Sequence, residues 1–288
     1  MGTYKFLEDE SELKFFWHYV LPPLKQNEVY FLAAACRNKH LTEDERKFFA
    51  VGRSEMYAKQ IIRDDSYYSF KRHILRFETV KDAYHTKNGL PYPDKGLVLY
   101  SYICPMNAYT AMHELTAHIS DVQMQLTNSA LKQSKDALTE AWYKVRKVFD
   151  SSQSIFAKNM GTRIWIDIDA DISEWQTVKG WEALENIKAF LNERIGLGNY
   201  VIAWTAGGLH FLIRRNVLKF DPGIIAEFTR INFTNAHVKV NEVVLNKNNQ
   251  IPLPGTVQYK DHVVRILNKD DFKSEHRLHE NLYSTPLC

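Results

Sequence analysis

The sequence predicts an α+β protein: a helix-rich N-terminal module over residues 1–150, packed on a second module over 151–288 that mixes strands and helices. Three observations predict it. Apolar residues in the first half recur mostly at helical spacing, interrupted by Pro22-Pro23 and Asn88-Gly89. Residues 163–245 instead carry runs of period two, separated by one helical run and a Gly-Gly turn. At 288 residues and 45% hydrophobic content, the chain can bury a sizeable core, which excludes global disorder.

Composition narrows the function classes. The net charge of +3 permits a nucleic-acid partner without arguing for one, so any basic surface must be local. Cys36, Cys104 and Cys288 are far apart and form no CxxC pair. That argues against a disulfide framework and a zinc ribbon, and it fits the reducing cytoplasm. The start, Met-Gly-Thr-Tyr-Lys-Phe, runs straight into acids and does not read as a signal peptide. No apolar run reaches the roughly 18 residues of a membrane span, so no membrane partner is expected.

Residues 9–26 read as a helix stopped by Pro22-Pro23. Val29–Cys36 is apolar and Ala-rich and fits either a helix or a buried strand. Thr42 followed by Glu45 is a capping-box signature opening a helix. Residues 54–63 read as another short helix and 69–78 as a third. Their Arg and Lys residues fit a solvated face or contacts to a nucleic-acid backbone. Residues 96–104 form a strand rich in β-formers, and 108–125 a helix. That helix holds a decoy: His113-Glu114 and His118 imitate a zinc-protease helix, but the histidines are five apart. At 100° per residue they diverge by about 140°, whereas HExxH needs i,i+4. Residues 131–149 form an amphipathic helix with Lys and Arg on its polar side, and Ser151-Ser152-Gln153-Ser154 is the candidate boundary. The strand at 96–104 belongs either to the second module's sheet or to one of its own.

In the second module, Arg163–Asp169 alternates Ile164, Ile166 and Ile168 with Trp165, Asp167 and Asp169. A helix follows over 178–193, with Trp181, Leu184, Ile187 and Phe190 spaced for an apolar face. Strands at 200–205 and 209–215 enclose Ala206-Gly207-Gly208 as a hairpin. A helix at 222–234 and a strand at 238–245 complete the order β-α-β-β-α-β, the split βαβ or RRM-like arrangement.

Three stretches carry chemistry. Asp167, Asp169 and the nearby Asp171 project from one strand face; adjacent carboxylates repel unless a cation lies between them. Hard oxygen ligands at that spacing suit Mg²⁺ or Mn²⁺, and such a site usually handles phosphate. A solvated acidic strand end is the plainer alternative. The second stretch is Thr205-Ala-Gly-Gly-Leu-His210. Gly207 and Gly208 permit close backbone approach to a ligand, Thr205 offers a hydroxyl for phosphate, and His210 emerges beside the acids. The third runs from Asn241-Glu242 through Leu253-Pro254-Gly255-Thr256 to Lys260. It fits either a plain hairpin with polar turn residues or a functional segment in which Asn241 or Glu242 completes a metal cage and Lys260 meets phosphate.

Together, IWIDIDAD, TAGGLH and VNEVVLNKNNQIPLPGT with Lys260 resemble the archaeo-eukaryotic primase superfamily, its primase-polymerase catalytic core in particular. The resemblance covers residues 160–265. It implies a palm-type module and template-directed nucleotidyl transfer, with nucleoside triphosphates joined on a single-stranded DNA template and primer. Asp167 and Asp169 would hold two Mg²⁺ or Mn²⁺ ions, and Thr205, Gly207, Gly208, His210 and Lys260 the nucleotide. It allows a helicase domain or protein as a further partner. The zinc knob found in many relatives is missing, as the cysteine count shows, so no zinc is expected, and the reducing setting read from the cysteines is the cytoplasm, or a host's cytoplasm if the protein is viral or plasmid-borne. The chain departs from the pattern at the third acid, which falls on Asn241 with Glu242 beside it. Two other classes stay open: a non-catalytic primase-like module binding single-stranded nucleic acid or nucleotide, and a DxD-dependent glycosyltransferase.

Overall fold

The computed structural model describes residues 5–49, 54–80, 97–131, 136, 139, 164–172, 178–218, 223, 240–245, 250–258 and 261–279, with backbone alone at 39, 49, 54–59, 80, 129–131, 170–172, 178–180, 183, 218 and 240–245. The fold is α+β, built on two antiparallel sheets. Among the described residues no helix is long and apolar enough to cross a membrane.

Helix α1 spans Glu10–Phe15, capped by the Asp9 carboxylate, which accepts from Ser11 N at 2.9 Å and Glu12 N at 3.4 Å. Its last turn widens over Phe16–Val20, closed by Leu21 N donating to Phe16 O at 3.0 Å, and it ends ahead of Pro22 as expected. Strand β1 is Glu28–Arg37, which settles the ambiguous Ala-rich run as a strand buried along most of its length. Helix α2 is Glu43–Phe49 and carries the expected capping box: Thr42 N donates to Glu45 Oε2 at 2.7 Å and Glu45 N to Thr42 Oγ1 at 3.2 Å.

The expected short helix at 54–63 is wrong: strand β2 occupies Ser54–Ile62. It pairs antiparallel along β1, with one extra residue, Tyr57, between the Ala34–Ala58 and Ala35–Met56 pairs. The interior strand β1 needs hydrogen-bonding partners on both edges, and that demand outweighs local helix preference. Helix α3 is Tyr67–Val80, β3 is Leu97–Tyr102, β4 is Met106–Asn107 and α4 is Ala108–Leu131. The candidate boundary at 151–154 lies outside the described residues, as do most of the helices expected at 131–149 and 222–234.

The second half holds β5 at Trp165–Ile172, α5 at Val178–Ile195, β6 at Tyr200–Thr205, β7 at Gly208–Arg214, the short α6 at Arg215–Leu218, β8 at Val240–Leu245, β9 at Gln250–Pro252 and β10 at Arg265–Ile266. The first sheet runs β2-β1-β3-β9, with β4 also on β1; the second runs β10-β6-β7-β5-β8. Strand β3 therefore belongs to a sheet of its own, whose outer strand β9 comes from the C-terminal half. Strands β5 and β6 are both antiparallel to β7, so they are parallel to each other, linked by α5 and split by β7.

Period two sorts the second sheet's residues onto two faces. Ile168, Tyr200, Ile202, Leu209, Phe211 and Ile213 pack on Leu184, Ile187, Leu191 and Ile195 of α5. Trp181, expected on that helix's apolar face, is instead 48% exposed, because the buried stripe runs on through Leu191 and Ile195. The other face, with Trp165, Val201, Ala203, Leu212 and Ile266, joins a cluster holding Leu13, Phe16, Leu32, Ala34 and Leu99. Residues from both sides of position 150 thus share one core cluster.

The last of the described residues, His279, packs on the N-terminal helical segment and β1. His279 stacks on Trp17 at 4.3 Å, places Nε2 3.1 Å from the Tyr30 hydroxyl, and faces Asp65 through Nδ1 at 3.4 Å. Burial pushes the Asp65 carboxyl up to about 6 and the His279 imidazole down to about 4. The raised carboxyl stabilises the fold at low pH and loses that contribution as pH rises through about 6. The depressed imidazole stabilises it above its ordinary 6.5 and loses that contribution as pH falls toward about 4. Between those limits the folded chain keeps one proton on Asp65 where the unfolded chain keeps one on histidine, so the two effects cancel. Relative to wild type, Asp65→Asn should lose roughly 1–2 kcal/mol between pH 6.5 and 4, and His279→Gln a similar amount as pH rises from 4 to 6. Urea denaturation across that range checks both slopes; parallel profiles for the two variants would contradict the cancellation.

Candidate functional site

The strand register assembles the site. In β5, Asp167 and Asp169 share a face with Trp165; in β7, His210 shares it with Leu212. The pairing runs Val244–Asp169–His210–Ala203 straight across β8, β5, β7 and β6. His210 Nδ1 lies 3.0 Å and 3.2 Å from the two oxygens of Asp167, and Nε2 lies 3.6 Å from Asp169 Oδ1. The imidazole is thus held between the two carboxylates.

Their environments differ. The Asp167 side chain is fully buried, whereas that of Asp169 is 45% exposed, so Asp169 is the acid that meets solvent. Burial alone would push the His210 imidazole down. The charge and hydrogen bond of Asp167, helped by the charge of Asp169, win over it and raise the imidazole, with Arg37 opposing. The pair thus favours the protonated form of the imidazole, whose charge would offset their own.

The donor set is hard oxygen, which fits Mg²⁺ or Mn²⁺ in chemical type. Among the described residues no group of three or more His, Cys, Asp and Glu side chains is placed to hold a metal ion. At Asp171, Asn241 and Glu242 the backbone alone is described, and its register separates the two candidates for the third position. Glu242 stands opposite Asp171, while Ile172 pairs with Val240, so Asn241 is the extra residue of a bulge. Four acid-bearing positions, 167, 169, 171 and 242, therefore fall on two neighbouring strands.

The hairpin is tighter than expected. Thr205 pairs with Gly208, so the turn is Ala206-Gly207 and Gly208 already belongs to β7. The Thr205 hydroxyl donates to Gly208 O at 3.2 Å and accepts from Gly207 N at 3.4 Å, which employs it within the turn. Lys260 lies outside the described residues. Sequence reasoning missed Gln258, which is buried and accepts from Ala206 N at 2.9 Å through Oε1, tying the hairpin to the segment after Pro254-Gly255. No sequence signal marks that contact, because it spans 52 residues. No family model, curated protein or solved structure matches the chain.

Proposed function

We propose that the chain is a template-directed nucleotidyltransferase of the primase-polymerase type, joining nucleoside triphosphates on a single-stranded DNA template. The observation that carries this reading is the convergence of Asp167, Asp169 and His210 on two paired strands. The parallel pair β5 and β6, joined by α5 and split by β7, supports an RRM-like palm layout. On this reading Asp167 and Asp169 would hold divalent cations, with Glu242 rather than Asn241 in register to join them. The chemistry expected of two bound Mg²⁺ or Mn²⁺ ions is activation of a primer 3′-hydroxyl and neutralisation of charge on the departing pyrophosphate. Asp167 orients the His210 ring, whose Nε2 edge lies toward the more open acid, Asp169. There the imidazole donates to a phosphate oxygen of the incoming nucleotide. Thr205 and Gln258 keep the hairpin turn fixed beside it. Catalysis then rests on positioning and charge neutralisation.

Incorporation of labelled ribo- and deoxynucleotides on single-stranded DNA, primed and unprimed, with Mg²⁺ or Mn²⁺, tests the reading. Metal-dependent extension is expected. A second reading, nucleotide or single-strand binding without catalysis, draws on the burial of Asp167, both of whose oxygens face the imidazole. Tight nucleotide binding with no incorporation under either metal would establish it in place of the first. The described strand pairings are all antiparallel, which favours either reading over a glycosyltransferase built on a parallel sheet.

A further inference from the structure

Helix α3 divides into a buried and an open side. Phe70, Ile74 and Phe77 are buried in the core cluster that also holds Trp165 and Leu212 of the acid-bearing sheet. At 100° per residue, Tyr68, Arg72, Leu75 and Arg76 fall within an arc of about 100° on the opposite side. All four are exposed, Tyr68 at 76% with most of its ring open. The helix's other charges are engaged. Lys71 Nζ donates to Glu10 Oε2 at 2.6 Å, and Glu78 Oε1 accepts from Phe6 N and Leu7 N, both at 2.8 Å. Just ahead of the helix, Asp64 accepts from Ser66 Oγ at 3.0 Å and Asp65 faces His279. Burial, and then the charges of Arg76 and Arg72, hold the His73 imidazole below its ordinary range, with Nδ1 2.5 Å from Gln60 Oε1. Among the described residues, Arg72 and Arg76 have no ion pair, hydrogen bond or ring contact. Like charges at i,i+4 destabilise a helix, so the stripe weakens the element that carries it.

The stripe's chemistry selects its partner. Two guanidiniums one turn apart match a row of closely spaced negative charges, and their planar forks suit phosphate oxygens. Tyr68, one turn before Arg72, offers a ring on which a base can stack, and a base presents its face when it is not held in a duplex. A protein partner would need an apolar centre, and Leu75, 38% exposed, is the one aliphatic side chain among the four. We infer that Tyr68, Arg72 and Arg76 of α3 bind a single nucleic-acid strand, the guanidiniums on its phosphates and the tyrosine on a base. The inference rests on the nucleotidyl-transfer reading for one point, that this strand is the template.

Fluorescence anisotropy of a labelled oligothymidylate, titrated with the full chain between about 50 and 200 mM salt and without nucleotide, tests it. Each arginine taken off a phosphate should reduce the slope of log affinity against log salt by about 0.7, so Arg72→Ala with Arg76→Ala loses about 1.4. Arg72→Lys with Arg76→Lys should keep the slope. Tyr68→Ala should weaken binding roughly 5- to 150-fold with the slope unchanged, and that loss should vanish on an abasic oligonucleotide. Thermal melting checks that each variant is folded, and Arg72→Gln with Arg76→Gln, which keep part of the stem, replace the alanines if the fold is disturbed. A folded double variant with wild-type affinity and slope would overturn the inference while leaving the nucleotidyl-transfer reading intact. Polyglutamate bound as tightly as the oligonucleotide would assign the stripe to an acidic protein surface and overturn it too. The expected slopes without nucleotide incorporation under Mg²⁺ or Mn²⁺ would uphold strand binding and overturn that reading instead. A wild-type protein that binds no oligothymidylate would overturn both.

Discussion

Asp169→Ala should lower metal-dependent nucleotide incorporation roughly a thousandfold, about 4 kcal/mol of transition-state stabilisation, without measurable loss of fold. The expectation follows from its place. Its side chain is 45% exposed and lies 3.6 Å from His210 Nε2, and removing it leaves that buried imidazole its closer partner, Asp167 at 3.0 Å. Asp167→Ala should be as damaging to incorporation, but for two reasons that a rate alone does not separate. The Asp167 carboxylate is fully buried and faces Nδ1 of His210 with both oxygens. Its loss leaves a buried imidazole without its partner, a cost of roughly 3 kcal/mol in stability besides the lost metal ligand. Asp169→Ala is therefore the cleaner probe, assayed by primer extension beside a thermal melt. A folded Asp169→Ala protein that extends primers at the wild-type rate would remove the acid pair from the chemistry.

The residues that carry this prediction were legible in sequence because strand alternation is a local property. Asp167 and Asp169 share a face by period two, and β6 occupies the expected 200–205 because its flanking glycines and apolar run are unambiguous. His210 was legible because a tight hairpin returns a strand next to its predecessor, although its direct pairing with Asp169 required the β5–β7 register. Strand β2 was not legible. Its residues make a passable helix, and only the buried edge of β1, some twenty residues earlier, decides otherwise. The choice between Asn241 and Glu242 was equally closed to sequence, since it depends on a one-residue bulge in the β5–β8 pairing.

The stretch Leu253-Pro254-Gly255-Thr256 was read as part of a site, and the structure gives it a mechanical task as well. Gly255 adopts φ of +83°, in the left-handed region that costs other residues about 1–2 kcal/mol. Its carbonyl accepts from Glu8 N at 2.9 Å and Asp9 N at 3.0 Å, and its amide donates to Val264 O at 2.8 Å. The turn thereby fixes the start of α1, whose cap is that same Asp9, against the C-terminal half. A Cβ at 255 would collide with the Asp9 carbonyl oxygen and sit 3.1 Å from Leu13 N, so both the cap and the first helical turn would have to move. Gly255→Ala should therefore cost roughly 3–4 kcal/mol, lowering Tm by about 10 °C. Gly196 supplies the control. Its φ is +80°, yet an added Cβ there would meet only Asn199 Nδ2 at 3.5 Å. Gly196→Ala should show the backbone strain alone, about 1–2 kcal/mol. The difference between the two melts isolates the collision with α1. Equal losses would mean that the Gly255 turn holds its conformation without bracing the helix.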